Sequence, residues 1–391
     1  MVTAASVVVV VGTVTGTLTA LDEGDGPQQA RPSQVSASAR LDRLPVVPSA
    51  VRRSPAPASP TPSASMKETA ATNESAPTKE TAPTKETATP SPSRTERERR
   101  TGAGHTRLYR HPESQILDWV RAHPDDPRRA VIVRIADQPA SVWFADFTPS
   151  TITSRVAAVT SGAAARGRVP VVVPYAVPNR DCGGRSQGGA PDLAAYDDWI
   201  ERFAAGLGSG EVIVVLEPDS VAQADCLPAA DRADRFASLA RAGRVLKAAN
   251  PKARVYYDAG HSGWNPAEKQ AALLRRAGAA SPASSDGIFS NVSNFHRTAD
   301  EIAYDRQVLD ALGGPESLGA VIDTSRNGNG APANGAWCDP AGRKIGRTPT
   351  LHTGEARIDA YLWVKLPGES DGCKGTPGTF SPSYAYDLAS S

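Results

Sequence analysis

The apolar run Val212 to Leu216 leads directly into Glu217, Pro218 and Asp219. An unbroken apolar run of this length reads as a strand covered on both faces, yet burying even one unpaired carboxylate costs several kcal/mol. Comparable endings recur along the chain. Tyr175 and Asp181 follow one β-branched run, Asp258 and His261 another, and Asn291 and Asn294 a third. Asp323 and Arg326, then Lys365, Glu369 and Asp371, follow the last two, with Trp143, Trp264 and Trp337 close by. A single carboxylate at a strand end is most often a helix cap or an ion-pair partner. This many on one rim, beside three tryptophans, point to chemistry.

The available chemistries narrow quickly. The six histidines show no HxxxH or HxH spacing, so neither a metal nor another cofactor is expected. Four cysteines, an even number in a chain that reads as exported, argue for disulfides over a catalytic thiol. There is no G-x-S-x-G elbow, no GxxxxGK[ST] loop, and no GxGxxG between a strand and a helix. A net charge of +1 gives no electrostatic footprint for nucleic acid. What remains is carboxylate acid/base catalysis on a substrate held by aromatic stacking and many polar contacts, which describes a polysaccharide.

The elements that must position these groups form a rhythm. The β-branched runs are 130–138, 169–182, 211–220, 253–264, 286–295, 319–330 and 359–373, and helical stretches follow most of them. Between the second and third, Trp199, Ile200, Phe203 and Leu207 share one helical face, and Gly208 stops it. The pattern predicts an α/β fold: a distorted (β/α) barrel of about seven parallel strands, with the cleft at their C-terminal ends. The run AVIVRIADQ is taken as the first strand, with Trp143 just after it. Trp199 and Trp363 are assigned to the core, and Glu217 to a structural role.

Composition divides the chain into three. Residues 1–26 carry an uncharged apolar run followed by acidic residues, which reads as a signal peptide or signal anchor. Residues 27–106 are rich in Pro, Ser, Thr and Ala, repeat APTKET at 76–81 and 82–87, and predict a disordered linker. The first aromatic residue is Tyr109, so the folded domain is placed at 107–391.

The blocks VPNRDCGG, LEPDS, DAGHSGW, NVSNF, DTSRNGNG and KLPGESDG, in this order, resemble glycoside hydrolase family 6, the inverting cellulases, and especially its bacterial endoglucanases. The similarity covers residues 128–388. It implies that Asp219 is the general acid, that Asp181 keeps it protonated, and that Asp371 is the base. A water relay held by Ser186 is the rival to direct abstraction. Tyr175 matches the tyrosine beneath the distorted sugar. Trp143, Trp264 and Trp337 match sugar platforms, and His261, Asn291, Asn294, Lys365 and Glu369 match substrate-binding positions. The resemblance pairs Cys182 with Cys226 and Cys338 with Cys373, although sequence alone allows three pairings.

Two departures stand out. Ala176 occupies a position where a polar residue is common, which would loosen a contact under the sugar. RSQGG at 185–189 replaces YSAGG in the loop over the cleavage site. The short spacing from Cys338 to Cys373 leaves little chain for a roof, so internal cleavage of β-1,4-glucan in an open cleft is expected. A cellobiohydrolase of the same family and a non-catalytic glucan-binding relative are the alternatives. A secreted monomer, with any membrane attachment made through the N-terminal segment alone, completes the expectation.

Overall fold

The computed structural model describes residues 108–390; the segments assigned to 1–26 and 27–106 lie outside the described residues. Seven strands, β1 (Val142–Phe144), β2 (Val171–Pro174), β3 (Val212–Leu216), β4 (Ala253–Asp258), β5 (Gly287–Ser290), β6 (Gly319–Asp323) and β7 (Ile358–Leu362), form one sheet in the order β1 to β7. Every neighbouring pair is parallel. No ladder joins β7 to β1. Two hydrogen bonds span that side instead: Ser141 N–H to the Trp363 carbonyl at 3.0 Å, and the Trp143 indole N–H to the Val364 carbonyl at 2.7 Å. The sheet is therefore a curled half-barrel with an incompletely sealed wall.

Strand alternation divides the apolar residues between two layers. Val171, Val173, Ile213, Val215, Tyr256, Phe289 and Val321 fill the concave interior. Val172, Val214, Leu216, Val255, Tyr257, Ile288 and Ile322 face outward against the helices. The helices are α1 (Gln115–Ala122), α2 (Arg129–Ala136), α3 (Ile152–Ala164), α4 (Leu193–Ala205), α5 (Ala229–Ala249), α6 (Ala267–Arg276), α7 (Thr298–Leu312) and α8 (Pro382–Ser390). Helix α4 starts where the Asp192 carboxylate caps the Ala195 N–H at 2.8 Å. Its Trp199, Ile200 and Phe203 are fully buried, as is Trp363.

One predicted element is wrong in type. AVIVRIADQ is not the first strand: residues 129–136 form α2, and β1 lies just beyond, with Trp143 inside it. Ile132, Ile135 and Ala136 recur at helical spacing and pack against Ile116, Trp363, Ala385 and Ala389. The strand count still comes to seven, because β1 replaces the misread run.

Candidate active site

The loops after β2 and β3 build one side of the site. Glu217 is fully buried and accepts N–H bonds from Ala176 (3.0 and 2.9 Å) and Val177 (3.0 Å). It thus clamps the chain just past Tyr175, and burial pushes its carboxyl up to about 6 against those bonds. This is the structural role expected of it. The same geometry corrects the reading of Ala176. Its methyl group is buried in the outer apolar layer, so this departure touches no part of the cleft.

Asp219 sits two residues beyond Glu217, half-buried, with Asp258 and Asp181 as neighbouring charges. Burial raises its carboxyl to about 8, and the Asp258 and Asp181 charges add to the rise. The Tyr175 hydroxyl lies 3.3 Å from Asp219 Oδ2 and 3.1 Å from Ser186 Oγ. The Ser186 N–H and hydroxyl both donate to Asp181 Oδ2, at 2.8 and 2.9 Å. A hydrogen-bonded line therefore joins Asp181, Ser186, Tyr175 and Asp219. Arg180 lies over the Tyr175 ring at 4.7 Å and donates to the Ser186 carbonyl at 2.8 Å. Trp143 meets the same ring edge-on at 5.3 Å.

The loops after β6 and β7 build the other side, where cations are abundant. Arg326, fully buried, pairs with Asp371 Oδ2 at 2.7 Å, and Lys365 Nζ lies 3.6 Å from Oδ1. Lys365 also donates to the Ser370 carbonyl at 3.1 Å. Glu369 is pushed up to about 7 by burial, against the pull of Lys365 and Arg326.

Asp339 organises this loop and was not singled out from sequence. It accepts from the Ser370 hydroxyl (2.6 Å) and from the N–H groups of Asp371 (2.7 Å), Cys373 (2.9 Å) and Lys374 (2.8 Å). Burial raises its carboxyl, but these bonds outweigh burial and bring it below the usual range. Its place beside Cys338 was the available signal. The disulfides are Cys182–Cys226 and Cys338–Cys373, as the resemblance implied.

Backbone strain concentrates in these loops. All nine non-glycine residues with positive φ among the described residues lie in the segments after β2, β3, β5 and β6, including Asp181, Glu217, Asp219 and Asp339.

The third wall follows β4 and β5. His261 stacks on His296 with centroids 4.2 Å apart and tilts toward Trp264 at 5.2 Å. Burial, with His296 beside it, pushes His261 down to about 3, leaving a neutral imidazole. Asn294 reaches the cleft, but Asn291 does not. Asn291 is fully buried and spends its amide on the His296 and Asp323 carbonyls (3.2 and 2.9 Å) and the His296 N–H (3.0 Å). It shapes the loop that presents Asn294. The other predicted residues (Tyr175, Asp181, Ser186, Asp219, Asp371, Trp143, His261, Trp264, Asn294, Trp337, Lys365 and Glu369) line one cleft of about 1440 Å³. Trp337 stands 53% exposed along it. Arg185, from the altered RSQGG stretch, donates to the Gly372 carbonyl at 2.9 Å and so links the Ser186 loop to the Asp371 loop. Among the described residues no group of three or more His, Cys, Asp or Glu could hold a metal ion.

The profile of glycosyl hydrolases family 6 matches residues 104–387. An endoglucanase 1 from Streptomyces sp. (strain KSM-9) is 52% identical over 284 residues, 72% of this chain and 77% of the relative. An endoglucanase A from Thermobispora bispora is 49% identical over 284 residues, 72% of this chain and 61% of the relative. Among solved structures, an endoglucanase from Mycobacterium tuberculosis in complex with methyl-cellobiosyl-4-deoxy-4-thio-β-D-cellobioside is 40% identical with a TM-score of 0.68. That match covers 74% of this chain and 97% of the other. The chain belongs to glycosyl hydrolase family 6, and it is a glycoside hydrolase.

Proposed function

We propose that this family 6 glycoside hydrolase is an exported, inverting endo-β-1,4-glucanase. The observation that carries the reading is Asp219: a rim carboxyl with no cation in contact, raised to about 8 by burial and by two neighbouring carboxylates. A general acid near neutral pH needs that property. Asp219 protonates the departing glycosidic oxygen, and the Tyr175 hydroxyl, 3.3 Å away, donates to the carboxylate that remains. Asp371 takes the base role, with a water between it and the sugar at a carboxyl separation of about 6.5–9.5 Å. Ser186, hydrogen-bonded to Asp181, keeps the water-relay variant open.

Trp143, Trp264 and Trp337 serve as platforms for glucosyl rings, and neutral His261, Asn294, Lys365 and Glu369 take the hydroxyls. Internal cleavage is favoured by the endoglucanase names of the two relatives and by the uncovered Trp337. The two disulfides suit an oxidising, extracellular setting. Proton NMR of the first cellopentaose products tests the mechanism. An α-anomer is expected, and a β-anomer would overturn inversion. A rapid viscosity drop of carboxymethylcellulose with little reducing sugar is the endo signature, whereas cellobiose as the sole early product would mark a cellobiohydrolase. Cello-oligosaccharide binding without any product would mark a non-catalytic relative.

A further inference from the structure

Behind the wall that carries His261 and Trp264 lie two carboxyls that the proposed chemistry does not use. Glu301 and Asp305 stand four residues apart on α7, so their side chains share one helix face, about 5–6 Å apart at Cβ. Both are fully buried. Each has one engaged oxygen. Glu301 Oε1 accepts the Ser262 N–H at 2.9 Å, and Asp305 Oδ2 accepts the Ser290 hydroxyl at 3.0 Å. The other oxygens, Glu301 Oε2 and Asp305 Oδ1, are buried without a donor.

The charges that bear on the pair are acidic. Burial raises both carboxyls, Asp300 adds to the rise at Glu301, and Glu301 adds to it at Asp305. Two bare carboxylates here, with no cation to offset them, would cost several kcal/mol each. One proton between the two donorless oxygens removes one of the charges and satisfies both acceptors at once.

We propose that Glu301 and Asp305 share a single proton, and that this carboxyl–carboxylate pair positions the 259–264 segment along the cleft. Ser262, held by Glu301, lies directly between His261 and the Gly263–Trp264 pair. Tyr304, between the two acids on α7, donates its hydroxyl to the Ala259 carbonyl at 3.2 Å. Ser290, held by Asp305, immediately precedes Asn291, whose amide shapes the 291–296 loop. One helix face thus anchors the loops after both β4 and β5. Glu301 and Asp305 are positioning residues, and the positioning half of the proposal rests on the reading of Trp264 as a glucan platform.

Infrared spectra of the full chain at neutral pH, in H₂O and D₂O, test the shared proton. A buried carboxylic-acid C=O band is expected in the wild type and should be absent from the Glu301→Gln and Asp305→Asn variants. Asp219 contributes its own band, so the assignment rests on the difference between wild type and variant. The introduced amide places an N–H where the proton stood, so both variants should keep KM for cellotetraose within about two-fold. Glu301→Ala, which removes the acceptor for Ser262, should raise KM about ten-fold with little change in kcat. A band unchanged in both amide variants would overturn the shared proton, and an unchanged KM in Glu301→Ala would overturn the positioning role. Trp264→Ala must itself raise KM. If it does not, the platform reading fails on its own, while the infrared difference still decides the proton.

Discussion

The two carboxyl-bearing sides of the cleft balance their charge in opposite ways. Around Asp219, the carboxylates of Asp181 and Asp258 are neighbours, the one direct hydrogen bond comes from Tyr175, and no cation makes contact. Around Asp371, each oxygen faces a cation, and the Asp339 N–H adds a bond at 3.2 Å. A group that must hold and then release a proton gains from uncompensated burial. A carboxylate held by Arg326, Lys365 and the Asp339 N–H is fixed in place, with a lone pair left to accept a proton from water. The sheet makes the contrast possible, because β3 and the edge strand β7 stand four places apart in its order and deliver the two carboxyls to one cleft.

Three substitutions probe that contrast. The largest effect is expected from Asp219→Asn, which removes the transferable proton at nearly constant shape. It should lower kcat on cellopentaose by about 10²–10⁴-fold while the protein remains folded. Residual activity within ten-fold of wild type would move the acid role elsewhere.

On the other side, Arg326→Met leaves Asp371 buried without its closest cation. A loss of about 3–5 kcal/mol in stability is expected from urea denaturation. A loss below about 1 kcal/mol would mean that Lys365 and the Asp339 N–H suffice.

The smallest and sharpest effect concerns Asp258, which is buried and accepts the N–H groups of Val221 (3.0 Å) and Ala222 (2.8 Å). An acid works while protonated, so a carboxyl raised to about 8 keeps kcat/KM high until pH passes that value. Asp258→Asn removes the larger of the two neighbouring like charges. The alkaline limb should therefore move down by about one pH unit. A limb that stays in place would assign the raised proton affinity of Asp219 to burial and Asp181, without Asp258.

Much of the site was legible because its residues follow strands that declare themselves. Val212 to Leu216 could hardly be anything but a covered strand, so Glu217 and Asp219 had to fall at its end. The misread segment shows where that logic stops. AVIVRIADQ satisfies strand propensity and helical spacing together, and only its packing against α1, α8 and Trp363 decides for the helix. Asn291 and Asn294 looked equivalent in NVSNF, yet positive φ at Asn291 and Ser293 turns the first inward and leaves the second on the cleft. Asp339 carried no mark beyond a neighbouring cysteine, since its role consists of bonds to a loop more than thirty residues away.

The sequence by itself determined six of the seven strands, the residues at their ends, and the chemistry those residue types allow, because periodicity and motif spacing are local properties. Only the tertiary structure decided which carboxyls lack a cation, which asparagine is consumed by the backbone, and that Asp258 and Asp181 both neighbour Asp219. Those outcomes depend on burial and on distances between segments far apart in the chain, and electrostatic energies in a poorly solvated wall change steeply with both.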